Sequence, residues 1–177
     1  SQTSGVANDL LGISFADSRN GVVVGERGAI LCTTDGGANW TTQTSGTTND
    51  ILGISFTDAN TGMVVGNYGT ILRTTNAGAI WTSQTKGTTD ELYGISFVDA
   101  NTGTVVGQWG AILRTTNGGA NWTRQTSGFT GFLSKVHFVD ANTGTVVGQE
   151  GTILRTTNGG ANWTSQTSGT TEDLHGV

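Results

Sequence analysis

The chain has 177 residues, a formal net charge of −5, and a composition that is 34% hydrophobic and 12% charged. The acidic balance argues against nucleic acid or an anionic membrane surface as a partner, since both demand a basic footprint, and no apolar run approaches the roughly 18 residues of a membrane helix. Low charge does not mean disorder here, because the apolar residues recur at fixed intervals and the length suffices for one domain with a core.

The first predicted strand is LLGISFADS, from Leu10 to Ser18, and the turn RNG follows at Arg19. A short strand, VVVG, leads to a tip between glycines, Gly25-Glu26-Arg27-Gly28. Tips of this length between strands read as hairpins. The third strand is AILCTT, and it runs into TTDGGANW, from Thr33 to Trp40. A fourth strand, WTTQT, and a polar connector complete the unit.

The same order then recurs. Trp40, Trp81, Trp122 and Trp163 close the four copies of the TTNGGANW stretch at intervals of 41 residues. A fixed period in this range is the signature of a repeat architecture. Four short antiparallel strands per period is the content of one β-propeller blade, and no helical apolar spacing appears. The predicted fold is therefore an all-β propeller of four-stranded blades. Blades fall at about 9–49, 50–90, 91–131 and 132–172, and residues 173–177 begin the first strand of a fifth. The near-continuously apolar VVG strand suits burial between adjacent blades.

T-x-D-G-G-x-x-W resembles the Asp-box, or bacterial neuraminidase repeat. The longer pattern GISFxDxxTGxVVGxxGxILRTTNGGxxW resembles the propeller repeats of the photosystem II stability/assembly factor family and its bacterial relatives. The resemblance covers essentially the whole chain. It implies a protein-binding role and an exported or periplasmic location, and it implies that the box is a folding element remote from the active face. The chemistry agrees. Asp35, Asn76, Asn117 and Asn158 occupy one position, where a side-chain oxygen can bond backbone N–H groups of the turn. Turn bonding survives the Asp-to-Asn change, whereas acid–base catalysis does not. Trp40, Trp81, Trp122 and Trp163 are expected to fill the seams between blades.

Variation among units marks the candidate binding face. The tips differ most: Glu26-Arg27, Asn67-Tyr68, Gln108-Trp109 and Gln149-Glu150. The connectors before each first strand differ too, and in propeller topology both loop sets share one face. Variable loops on a rigid scaffold are where binding sites sit. Tyr68 and Trp109 are the leading candidates, as aromatics that stack on sugars or anchor a protein. Glu26, Arg27 and Glu150 belong to the same face. The fourth unit places Phe129, Phe132, Lys135 and His137 where the others have Thr, Asp or Glu, Gly and Ser. They form either an apolar patch on that face or a repacked blade edge.

No catalytic residue, metal ligand set or cofactor site is predicted. His137 and His175 lack metal-ligand spacing, and no phosphate-binding loop or nucleophile motif appears. Arg73, Arg114 and Arg155 invite comparison with a sialidase arginine triad, but a repeat sets them one per blade, and pairing with Asp58, Asp99 or Asp140 is expected instead. Cys32 is the only cysteine, so no intrachain disulfide forms. The NWT sequons at Asn39, Asn121 and Asn162 follow from the repeat itself. The opening SQTSGVANDL has no signal-peptide pattern.

Residues 165–177 repeat residues 1–13 instead of complementing them. The expectation is thus a homo-oligomer in which two chains form one ring, or a piece of a longer propeller, in preference to a closed four-bladed monomer. The functional expectation is a non-enzymatic scaffold that binds a protein through one face. A lectin using the aromatic tips is the alternative. A glycoside hydrolase fragment, which needs two facing carboxylates, would have to use Glu26 and Glu150.

Overall fold

The structure is a computed structural model, and it describes residues 4–85 and 87–177. Four antiparallel four-stranded sheets follow one another along the chain. Blade 1 holds β1 (Leu10–Phe15), β2 (Gly21–Gly25), β3 (Ile30–Thr33) and β4 (Thr41–Gln43). Blade 2 holds β5 (Ile51–Phe56), β6 (Gly62–Gly66), β7 (Thr70–Thr74) and β8 (Thr82–Ser83). Blade 3 holds β9 (Leu92–Phe97), β10 (Gly103–Gly107), β11 (Ile112–Thr115) and β12 (Thr123–Gln125). Blade 4 holds β13 (Leu133–Phe138), β14 (Gly144–Gly148), β15 (Ile153–Thr156) and β16 (Thr164–Gln166). Within each sheet the strands pair in sequence order.

The second strand of a blade is hydrogen-bonded on both edges and flanked on its faces by other apolar residues. Every residue of β2, β6 and β10 is accordingly buried. Each first strand carries a register shift at one repeat position, between Leu10 and Gly12 in β1 and between Leu133 and Lys135 in β13. Such a bulge increases local twist, which suits blades fanned about an axis.

Apolar packing between blades makes three seams, each with the same grammar. Val22, Val24, Ile30 and Cys32 of blade 1 meet Ile51, Ile54, Phe56, Val64, Leu72 and Trp81 of blade 2. Met63, Val65 and Ile71 then meet Leu92, Ile95, Val105 and Leu113, and Val106 and Ile112 meet Leu133, Val136, Phe138 and Val146. Blades 2 and 3 thus each present one face to the blade that follows and the other to the blade before. Burial holds the Cys32 thiol protonated, its pKa pushed up to about 11.

The box turns work through two side chains. Thr33 Oγ1 accepts the Gly37 N–H at 2.9 Å, and its hydroxyl donates to Asp35 at 2.8 Å. Asp35 accepts the Asn39 N–H at 2.9 Å and the Asn39 side-chain amide at 2.7 Å. The backbone bond therefore spans four residues, not the two expected from an isolated turn. Asn76 repeats the arrangement with Thr74 and Ile80. The Trp that follows turns back to meet a phenylalanine edge-on, as Trp81 does Phe56 at 6.3 Å.

The expected pairing of Arg73, Arg114 and Arg155 with Asp58, Asp99 and Asp140 yields no direct ion pair among the described residues, although the charges of Arg114 and Asp99 act on each other. The carboxylates fold back on their own turns: Asp99 accepts the Asn101 and Thr102 N–H groups at 2.7 and 2.8 Å. Arg114 instead donates to Thr104 at 2.9 Å and to the Ala141 carbonyl, and it lies 5.0 Å from the centroid of Phe138 in the next blade. Short-range backbone bonds are available to the turn carboxylates before any side chain arrives. Arg124 and Asp90, 3.1 Å apart, form the one ion pair among the described residues.

Candidate functional site

The tips and the connectors share one end of the blades. Each tip is a short 3-10 turn, residues 26–28, 67–69, 108–110 and 149–151. Its first N–H is tied to the residue before its own first strand: Glu26 to the Asp9 carbonyl, Asn67 to Asp50, Gln108 to Glu91 and Gln149 to Phe132. The bend is so close that a Cβ on Gly107 would collide with the Glu91 carbonyl. The second tip residue is left-handed in every blade, with φ of 52° at Arg27 and 55° at Tyr68, Trp109 and Glu150. Repetition of a costly conformation gives four side chains the same outward direction. Tyr68 is 66% and Trp109 67% exposed.

Connectors brace the tips. Arg27 N–H donates to the Asp50 carboxylate at 2.8 Å, so the start of blade 2 holds the tip of blade 1. Arg124 joins Asp90 and also reaches the Trp109 carbonyl at 3.5 Å. Tyr93 donates to Glu91 at 2.7 Å, and burial together with that carboxylate pushes the Tyr93 pKa up to about 12.

A cavity of about 370 Å³ opens where the first strands converge, lined by Leu52, Tyr93, Phe132, Ser134, Lys135 and His175. Leu52, Tyr93, Ser134 and His175 are the same repeat position, so they face one axis. Lys135 stands where other units have Gly12, Gly53 and Gly94. Its ammonium donates to the Tyr93 carbonyl at 3.4 Å, and burial lowers its pKa.

The structure sorts the candidate residues. Tyr68, Trp109, Arg27 and Glu150 stand exposed on the tip face, while Glu26 is half-buried. The four divergent residues of unit four do not form one patch. Phe129 packs into the seam between blades 3 and 4, Phe132 stacks edge-on with Tyr93 at 6.2 Å in the axial cavity, Lys135 lines that cavity, and His137 is exposed elsewhere. Tyr93 and Leu52 escaped the sequence reading. The available signal was their repeat position, which is leucine in the first two units (Leu11, Leu52) and then changes to Tyr93, Ser134 and His175. Among the described residues no group of three His, Cys, Asp or Glu side chains could hold a metal, and no helix is long and apolar enough to cross a membrane.

Comparison with known proteins follows the same lines. No curated protein matches the chain. Among solved structures it resembles YCF48 bound to D1 peptide, with 16% identity and a TM-score of 0.65 over 96% of this chain and 86% of that one. It also resembles YCF48 from Cyanidioschyzon merolae, with 22% identity and a TM-score of 0.72, covering 91% of this chain and 57% of that one. An ancestral GH74 enzyme shares 18% identity at a TM-score of 0.71, and the chain spans only 24% of it. Likeness at these identities shows a common propeller fold. The model of the photosynthesis system II assembly factor YCF48 family matches residues 2–83 and 39–176. Nearly the whole described chain thus carries that family's repeat, and the protein belongs to the YCF48 family.

Proposed function

We propose that this chain is a non-enzymatic, protein-binding propeller module whose partner docks on the tip face. The observation that carries this reading is the pair Tyr68 and Trp109. Each is about two-thirds exposed, and each occupies the left-handed tip position of neighbouring blades. Large exposed aromatics on a braced backbone contribute binding area at little conformational cost. Arg27 and Glu150 rim the same face with charges of both signs. Three carboxylates of the connectors are engaged by their neighbours: Asp50 accepts a tip N–H, Asp90 pairs with Arg124 and Glu91 accepts from the Tyr93 hydroxyl. That supports a scaffold over a hydrolase. We also read the module as half of a homo-oligomer, which would display both aromatics twice.

One similar structure is YCF48 bound to D1 peptide, so a D1 peptide is the first probe. Titration by fluorescence anisotropy should show binding that Tyr68→Gly and Trp109→Gly each weaken at least tenfold. Binding unchanged in both variants would remove the tips from the site. A glycan-array signal lost in Trp109→Gly, with no peptide binding, would replace the protein partner with a carbohydrate.

A further inference from the structure

The fourth unit reverses the charge of the repeat at two nearby positions, and both face one cavity. Asp9, Asp50, Glu91 and Asp173 occupy one repeat position, and Phe132 stands there in the fourth unit. Gly12, Gly53, Gly94 and Gly176 occupy another, and Lys135 stands there in the fourth unit. A negative charge is thus removed and a positive one added at the start of β13. Phe132 and Lys135 line the axial cavity of about 370 Å³ together with Leu52 and Tyr93.

Packing does not account for the lysine. The glycine position is tight in the neighbouring blades: a Cβ on Gly53 would lie 3.1 Å from the Tyr93 carbonyl oxygen, and one on Gly94 would lie 3.0 Å from that of Ser134. An ammonium carries three donors, and Lys135 makes one long bond, to the Tyr93 carbonyl at 3.4 Å. No carboxylate pairs with it among the described residues. Glu91 is held at the other end of Tyr93, by the hydroxyl. A cation withdrawn from water without a counter-charge costs stability, and burial lowers the Lys135 pKa accordingly. The rest of the lining is largely apolar. Phe132 and Tyr93 meet edge-on, and the Ser134 hydroxyl is directed to the Val147 carbonyl at 3.0 Å.

We propose that this cavity binds a small aromatic carboxylate, its acid group paired with the Lys135 ammonium and its ring packed against Phe132 and Tyr93. The volume is at the small end of the range for small-molecule sites, which suits one ring system with a short acid arm. The acid supplies the counter-charge that the protein withholds, and a charge-assisted bond in apolar surroundings is of the strong kind. The two rings of the wall offer edge-on and offset partners to a third. Glu91 holds the Tyr93 ring in place through its hydroxyl. Leu52, Tyr93, Phe132 and Lys135 all lie on or beside β5, β9 and β13, three successive first strands packed on one another, so the grip on the acid is built within blades 2 to 4. It is a site separate from Tyr68 and Trp109, and it does not rest on what binds the tips.

The test is titration calorimetry of the full chain with phenylacetate and indole-3-acetate, beside phenylacetamide and acetate. At least one of the two aromatic acids should bind saturably with a Kd below about 1 mM. Phenylacetamide, which keeps the ring and loses the charge, and acetate, which keeps the charge and loses the ring, should each bind about tenfold more weakly or worse. Lys135→Met keeps an unbranched side chain and removes the ammonium, and it should weaken the aromatic acid about tenfold. Phe132→Asp restores the residue type of the other units, so the fold tolerates it, and the like charge should abolish binding. Circular dichroism and thermal unfolding of both variants check that the propeller is intact. Neither aromatic acid binding at up to about 10 mM overturns the proposal, as does binding that Lys135→Met leaves unchanged in a folded protein. Phenylacetamide or acetate binding as tightly as the aromatic acids overturns the ligand class. No peptide is present, so the result is independent of the tip face.

Discussion

The Glu150 backbone N–H donates to the Asp173 carboxylate at 3.0 Å, reproducing across blade 4 the bond that Arg27 makes to Asp50 across the first seam at 2.8 Å. Asp50, at the entry of blade 2, thus fixes the tip of blade 1, and Asp173 does the same for the tip of blade 4. The bond matters because it holds the N–H of the left-handed residue itself. Asp50→Ala is expected to cost about 1 kcal/mol, read as a downshift of a few degrees in thermal unfolding. Asp173→Ala should shift the melting temperature less than Asp50→Ala, since residues 173–177 form no strand.

Equivalent leucines should behave unequally. Leu92 is fully buried in the second seam, whereas Leu10 is 40% exposed. Leu92→Ala is expected to cost about 2–5 kcal/mol through lost burial and a residual cavity. Leu10→Ala should cost less than about 1 kcal/mol in a single chain, because its side chain already meets water. Urea unfolding at low protein concentration measures both.

Trp109→Gly removes an exposed indole from a residue with φ of 55°. Glycine relieves the left-handed strain, of about 1 kcal/mol, against the greater freedom it gives the unfolded chain. Stability within about 0.5 kcal/mol of the parent is expected, so any loss of partner binding reports the side chain and not the fold. Thermal unfolding beside the binding titration checks this.

Acid should loosen the first box turn in a defined window. The Asn39 side-chain amide, the Asn39 N–H and the Thr33 hydroxyl hold the Asp35 carboxyl down at about 2, from its ordinary 3.8. A carboxyl lowered by folding contributes stability above its unfolded pKa and loses it as pH falls through the folded one. That share is therefore present above about pH 4 and is lost as the pH falls through about 2. Asp35→Asn should flatten the stability curve over that window, since Asn76, Asn117 and Asn158 do the same work uncharged. The variant's urea midpoint against pH, compared with the parent's, is the measurement.

The sequence by itself determined the blade. The 41-residue interval, the alternation within LLGISF and the glycines around each tip are local or periodic, and they act through backbone geometry and strand pairing inside one unit. The choice of tips and connectors as one face was legible too, because it follows from strand order. What the tertiary structure decided is everything that depends on which blade lies alongside. Arg114 bonds the Ala141 carbonyl and lies by the Phe138 ring because the next blade supplies both, while Asp99 is held by its own turn. Phe129 and Phe132 are near neighbours in sequence, yet one fills a seam and the other lines the axis with Tyr93. The exposure of Ile13 against the burial of Ile95 and Val136 has the same origin. The repeat writes nearly the same side chain into each unit, but burial is a property of two surfaces, and only packing determines whether the second one is present.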